Sequence, residues 1–284
     1  MSLPIAVGVD GSGESMSAID WAADEAALRG TGLRLVYASR WQEHRLQAVK
    51  PTREAQGEED RSLLAAAEQR AHTRRPGIST SPEETEDAPV RLLVDVGSDS
   101  ELLVLGSSAL GSASGFIVGS VGQEVVADAK RPVVLVRPGY GEEGPGAGRA
   151  ERGEIVVGLD VGHGDDGGEL LAFAFDFAAK HSAPLHILHT WHGPAFHHRE
   201  AEVRGERETE LAAAVRPYRD KFPQVEVTED AAPGRPADRL VESAADAALV
   251  VVGRRRAAKG SHIGSIAHAV LHHAACPVAV VPHA

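Results

Sequence analysis

Apolar residues along this chain fall into two alternating patterns. Short, unbroken apolar runs occur at 5–9 (IAVGV), 33–38 (LRLVYA), 101–105 (ELLVL) and 132–137 (PVVLVR). An apolar run without polar alternation predicts a strand covered on both faces, as in a parallel sheet. Between the runs the spacing turns helical. Ile19, Ala22, Ala23 and Ala26 share one face of a helix predicted near 15–29. Further helices are predicted near 61–74, 88–98 and 119–129, with a weak strand near 78–82. The stretch leading into 61–74 carries Glu54, Glu58, Glu59 and Asp60 and reads as a mobile loop. Strands alternating with helices, joined by right-handed crossovers, define an open doubly wound α/β sheet.

The whole pattern occurs twice. IAVGVDGSGES (5–15) returns as IVVGLDVGHGD (155–165), and LRLVYA (33–38) as LHILHT (185–190). LLVLG (102–106) returns as LVVVG (249–253), and RPVVLVRP (131–138) as CPVAVVPH (276–283). The offset drifts from 152 down to 145 residues, as in a duplicated domain with altered loops. The first helix of the second copy, near 167–181, carries Leu170, Leu171, Phe173, Ala174, Phe177 and Ala178. Such stripes cover the sheet. GYGEEGPGAGRAERGE (139–154) is rich in glycine and charge and reads as a linker. The organisation is a first domain over 1–140, a linker over 141–153 and a second domain over 154–284.

Composition narrows the function. The 284 residues are enough for two domains, and a 43% apolar content is enough for two cores. A net charge of −12 argues against nucleic acid as the main partner. The single cysteine, Cys276, excludes an intrachain disulfide and reads as a small buried residue. No signal peptide opens the sequence and no apolar run approaches a membrane span, so the expected location is cytoplasmic.

The candidate chemistry lies in LLVLGSSALGSASGFIVGSVGQ (102–123). Ligands of doubly wound sheets sit beyond the carboxyl ends of the strands. Asp10, after the first strand, and Gly106, ending the fourth, both fall at that edge. Small residues let main-chain amides approach a phosphate, and Gly119-Ser120 would open a helix whose N-terminus favours an anion. Asp10 suits a sugar hydroxyl or an exocyclic amine, or else caps a turn.

Gly106, the following loop and Gly119-Ser120 stand at a spacing that resembles the universal stress protein family. Its nucleotide-binding members carry Gly, two residues, Gly, nine residues, then Gly-Ser. The opening IAVGVDGS and the endings RPVVLVRP and HAACPVAVVPH are similar to that family as well, so the likeness spans both halves. It implies two tandem Rossmann-like (adenine nucleotide alpha hydrolase-like) domains, each a five-stranded parallel sheet of order 3-2-1-4-5 with helices on both faces. It further implies ATP as ligand (or AMP or another adenine nucleotide, with Mg accompanying ATP). Pairing of the two halves and a homodimer through the last strands are also implied. By the same resemblance Val9, Asp10 and Ala38 would line adenosine, and Gly106, Ser108, Ala109, Gly119, Ser120 and Val121 the phosphates. Ala109 departs from the family glycine, at a cost of roughly 1–2 kcal/mol if the position needs positive φ. Ser108 stands where many members have Arg.

The second copy departs further. In GRRRAAKGSHIGS, Gly253 precedes Gly264-Ser265 by eleven residues, not thirteen, and Arg256 takes the middle glycine position. The corresponding residues are Leu159, Asp160, Thr190, Gly253, Arg255, Arg256, Gly264 and Ser265. Arg254, Arg255, Arg256 and Lys259 either grip an anion by side chains or form a solvated basic loop.

Other features weigh less. HIGS (262–265) follows the fourth strand, not the first, and lacks the second His of a nucleotidyl-transferase motif. His268 and His272 stand four apart on a predicted helix, a spacing that can share a metal, with solvated or structural roles as the alternative. No GxxxxGK[ST] motif is present, and no nucleophile is tied by spacing to Asp10 or Asp160. The expected function is a nucleotide-binding stress-response module that acts through conformation or partnership. The alternatives are a tandem scaffold with both sites degenerate and, last, slow ATP hydrolysis.

Overall fold

The computed structural model describes residues 2–38, 53–109, 116–141, 153–161, 167–191, 200–256 and 262–284. They divide into two compact units. One holds the described residues of Met1–Gly111 and Ile117–Glu143, the other those of Ser112–Phe116 and Gly144–Ala284. The expected linker lies almost wholly outside the described residues.

In the first unit the order is β1 (Ile5–Gly8), α1 (Gly13–Arg29), β2 (Leu33–Ala38), α2 (Arg53–Arg74), β3 (Thr80–Thr85), α3 (Pro89–Ser98), β4 (Leu102–Gly106), α4 (Ser120–Asp128) and β5 (Val133–Val136). The strands pair in parallel in the order β5-β4-β1-β2-β3. Ile5 stands opposite Leu33 on one side and Leu102 on the other. All four residues of β1 are buried, as its unbroken apolar run requires. α1 packs on α2, and α3 on α4, so each face of the sheet carries a helix pair.

The second unit repeats the order: β6 (Ile155–Gly158), α5 (Gly168–His181), β7 (Leu185–Trp191), α6 (Glu200–Lys221), β8 (Val227–Pro233), α7 (Pro236–Ser243), β9 (Leu249–Arg255), α8 (Ser265–His273) and β10 (Val278–His283). Its parallel strands run β8-β7-β6-β9-β10. Both sheets therefore have the expected 3-2-1-4-5 order. Phe175 of α5 is fully buried and stacks on Tyr218, anchoring α6.

Two expectations are corrected. The acidic stretch before residue 61 is helix, because α2 starts at Arg53. Acidic residues suit the first turns of a helix, where the macrodipole is positive. Asp60 is buried and accepts a 2.9 Å hydrogen bond from the Tyr37 hydroxyl, which supplies the polar partner its burial requires. The weak third strand lies at Thr80–Thr85, shifted toward the C-terminus. Its TSPEET sequence has no apolar signal. Parallel pairing with β2 sets its position, and Pro82 is tolerated because the strand lies at the end of this order.

α1 sits where the site requires it because both of its ends are capped. Ser12 is the N-cap, its Oγ accepting from the Ser15 amide at 3.1 Å. Asp20 takes two hydrogen bonds from Arg70, at 2.8 and 2.5 Å, and Asp24 takes bonds from Arg74 and Arg75. The carboxylate of Asp24 pushes the Arg74 guanidinium above its ordinary pKa, chiefly through their hydrogen bond, and this pair ties α1 to α2.

Candidate functional site

A cleft of about 240 Å³ opens at the carboxyl edge of the first sheet. Six of the nine residues expected there line it: Asp10, Gly106, Ser108, Gly119, Ser120 and Val121. Val9 and Ala38 do not line it; both are buried, and the Val9 amide donates to the Val36 carbonyl at 2.9 Å. Ala109 is not among the lining residues either. Leu110 to Gly115, most of the bare loop, lie outside the described residues.

α4 starts where the Gly-Ser spacing places it. Gly119 is its N-cap, and the Gln123 amide donates the first helical bond to the Gly119 carbonyl at 2.9 Å. The amides of Ser120, Val121 and Gly122 then have no intrahelical acceptor. Among the described residues no other protein acceptor faces them. Three unpaired donors thus lie in residues that line the cleft, at the positive end of a helix.

The two glycines at this edge do different things. A Cβ on Gly106 would lie 2.5 Å from the main-chain carbon and oxygen of Glu14, so the close approach of α1 requires glycine there. That packing demand was read from sequence as ligand contact alone. Gly119 has an ordinary φ of −57° and nothing within 4 Å of a built Cβ. Neither conformation nor packing within the described residues asks for glycine at 119. The space it leaves open adjoins the cleft.

Asp10 takes the turn-capping role. Its Oδ1 accepts from the Ser12 amide at 2.9 Å and the Ser12 hydroxyl at 2.5 Å. Its second oxygen has no partner among the described residues, so Asp10 can still meet a ligand donor. The cleft holds a second carboxylate, Glu14, and among the described residues no lysine or arginine lines it. Gly8, Ser12, Glu14, Ser15, Tyr37, Leu105 and Gly122 complete the lining. Sequence reading missed these. The GSGES stretch, with a serine before a helix start, carried the one local signal for Ser12.

The second unit arranges the same positions differently. Asp160 faces Arg255 at 3.8 Å, and Arg256 is paired with Glu169 in the first turn of α5. The Ala284 amide also donates to Glu169, at 3.0 Å, and the Arg256 amide to the His283 carbonyl at 2.8 Å. The His283 ring lies over Gly253, its Nε2 2.6 Å from a built Cβ. Arg255 and Arg256 are exposed, and each faces a carboxylate of its own unit. Arg254 is buried. Leu159 is buried and its carbonyl meets His189 Nδ1 at 3.0 Å, so the ring carries its proton there; Thr190 is part-buried beside them on β7. Gly264 caps α8 with φ +82°, so Gly264-Ser265 opens its helix with a different backbone from Gly119-Ser120. Lys259 lies outside the described residues.

Two doubly wound sheets of order 3-2-1-4-5, the first with a cleft of main-chain donors at its carboxyl edge, define a Rossmann-like class of α/β protein. The family model of the universal stress protein family matches residues 1–137 and 151–282, and the chain belongs to that family. Universal stress protein Rv2005c of Mycobacterium tuberculosis is 31% identical over 97% of this chain and 96% of its own length. Universal stress protein Rv2623 of the same species is 30% identical over 98% and 96%. In fold, the chain is similar to a universal stress protein from Archaeoglobus fulgidus, with a TM-score of 0.72 and 17% identity over 99% of this chain and 98% of that one. None of the described helices is long and apolar enough to cross a membrane.

Proposed function

We propose that the first domain binds an adenine nucleotide, ATP or a relative such as AMP, and that the chain works as a stress-response module whose partnership or conformation depends on that ligand. The observation that carries this reading is the open N-terminus of α4. The amides of Ser120, Val121 and Gly122 have no protein acceptor among the described residues, beside a glycine that the fold does not require.

The cleft sets the terms of binding. Its volume of about 240 Å³ is below the roughly 300–1,000 Å³ of ordinary ligand pockets, so part of a nucleotide stays in solvent. Micromolar affinity needs about 8 kcal/mol, and one helix terminus gives about 0.3–1 kcal/mol, so ring burial and several amides must act together. Tyr37, Leu105 and Val121 are the larger apolar residues of the lining. Asp10 and Glu14 oppose a bare triphosphate. A magnesium ion carried by the nucleotide would offset that repulsion, with the second Asp10 oxygen and Glu14 available to its water shell.

The second domain does not share this role. Its carboxylates and arginines satisfy one another, and the His283 ring covers Gly253. One nucleotide per chain is the expected stoichiometry. Calorimetric titration with ATP and AMP, with and without Mg²⁺, tests the reading. Heat at a ratio of one that vanishes in Gly119→Arg supports it, and the absence of heat at millimolar ligand defeats it. A scaffold that binds no nucleotide is the second reading. It draws on Gly106 and Asp10, whose identities packing and turn capping already explain. Mass spectrometry of denatured protein for copurified nucleotide separates the two.

A further inference from the structure

We propose that His268 and His272 bind a divalent late first-row transition metal, of the zinc or nickel type, on the outer side of α8. The inference concerns the second domain and stands whether or not the first domain binds nucleotide.

Residues four apart on a helix lie one turn apart on the same side. Here the two imidazoles lean together, with centroids 4.4 Å apart and planes at 41°. Ala267, Val270 and Leu271 are buried and fix the rotation of α8. The histidine pair therefore lies on the other side, with His268 exposed and His272 partly so. A metal about 2.0–2.1 Å from each nitrogen needs those nitrogens about 3.4 Å apart for a tetrahedral angle. Ring centroids 4.4 Å apart on one helix face are compatible with that spacing. His273, one position further, is turned about 100° away around the axis and cannot share the ion.

The donor set selects the metal. Imidazole nitrogen suits zinc, nickel and copper, whereas magnesium and calcium prefer oxygen. Among the described residues no group of three or more His, Cys, Asp or Glu could hold a metal. Two protein nitrogens and solvent waters then complete the shell. The ion is exchangeable, held at the surface across residues 268 to 272, and is no closed structural site.

The test titrates the full chain with zinc chloride, then nickel chloride, in a non-chelating buffer by calorimetry. The variants are His268→Gln, His272→Gln and His273→Gln, with circular dichroism to confirm folding. The proposal expects each of the first two to remove one equivalent of metal or weaken it at least about tenfold. It expects His273→Gln to titrate as the parent. It also expects zinc to slow hydrogen exchange of the α8 amides in the parent and not in His268→Gln. The proposal is overturned if His268→Gln and His272→Gln bind as the parent does, or if His273→Gln loses as much as they do.

Discussion

The Tyr37 hydroxyl donates a 2.9 Å hydrogen bond to the carboxylate of Asp60, and both side chains are buried. The bond ties the end of β2 to the second turn of α2. It also holds in place a residue that lines the cleft.

Removing that hydroxyl therefore loosens both. A hydrogen bond to a charged group contributes about 1.5–3 kcal/mol. Tyr37→Phe is expected to lower the unfolding free energy by about that much in urea denaturation, and to weaken nucleotide binding at the same time. Unchanged stability would mean that the bond adds nothing to what α2 already gains from Asp20 and Asp24.

Gly106 and Gly119 make a matched pair of tests. Gly106→Ala drives a methyl into the Glu14 main chain, and overpacking of this kind costs about 1–3 kcal/mol or more. Gly119→Ala meets open space at an ordinary φ, so stability is expected to move by no more than about 0.5 kcal/mol. The larger Gly119→Arg is expected to leave the melting curve alike and to weaken nucleotide at least about tenfold, a loss of about 1.4 kcal/mol. Thermal melts and calorimetry on the same samples read both effects.

The carboxylates of the second unit offer a further check. Arg255 and Arg256 are roughly half exposed, with side-chain values of 60% and 43%, so their ion pairs are screened and each adds at most about 1 kcal/mol. The double variant Arg255→Ala, Arg256→Ala is expected to keep its fold and a stoichiometry of one nucleotide per chain. A rise to two would show that these pairs alone close the second site.

Arg74 is the opposite case. It and Asp24 are mostly buried, and breaking a partly buried pair from one side leaves a carboxylate short of its partner. Arg74→Leu is expected to cost about 1–3 kcal/mol. The upward shift of Arg74 means that its stabilisation is fully present below the ordinary arginine pKa and is lost only as pH rises through the higher folded value. The difference between parent and variant should stay flat from about pH 6 to 9 in denaturant titrations.

The duplicated α/β fold was legible because the inner strands are predominantly apolar runs, a signal that needs no partner to be read. β3 carried no such signal, since TSPEET takes its place from β2. The start of α2 was misread for a related reason. The burial of Asp60 depends on Tyr37, which lies far from it in sequence, and acidity without that partner reads as solvent. At the site, Gly119-Ser120 was legible from spacing, but the cause of Gly106 was not, because it lies in the approach of Glu14. The pairing of Arg255 and Arg256 with Asp160 and Glu169 was invisible for the same reason. Local composition names charges, and only the tertiary fold names their counter-charges.

The two Gly-Ser steps answer to different pressures. Gly264 holds a left-handed backbone, so any side chain placed there strains α8 whatever the protein binds. Gly119 holds no such geometry, and a library screened for folding alone should admit many residues at 119 while rejecting them at 264. Where a screen for nucleotide retention then restores glycine at 119, the difference between the two screens measures what the ligand, and not the fold, asks of this chain.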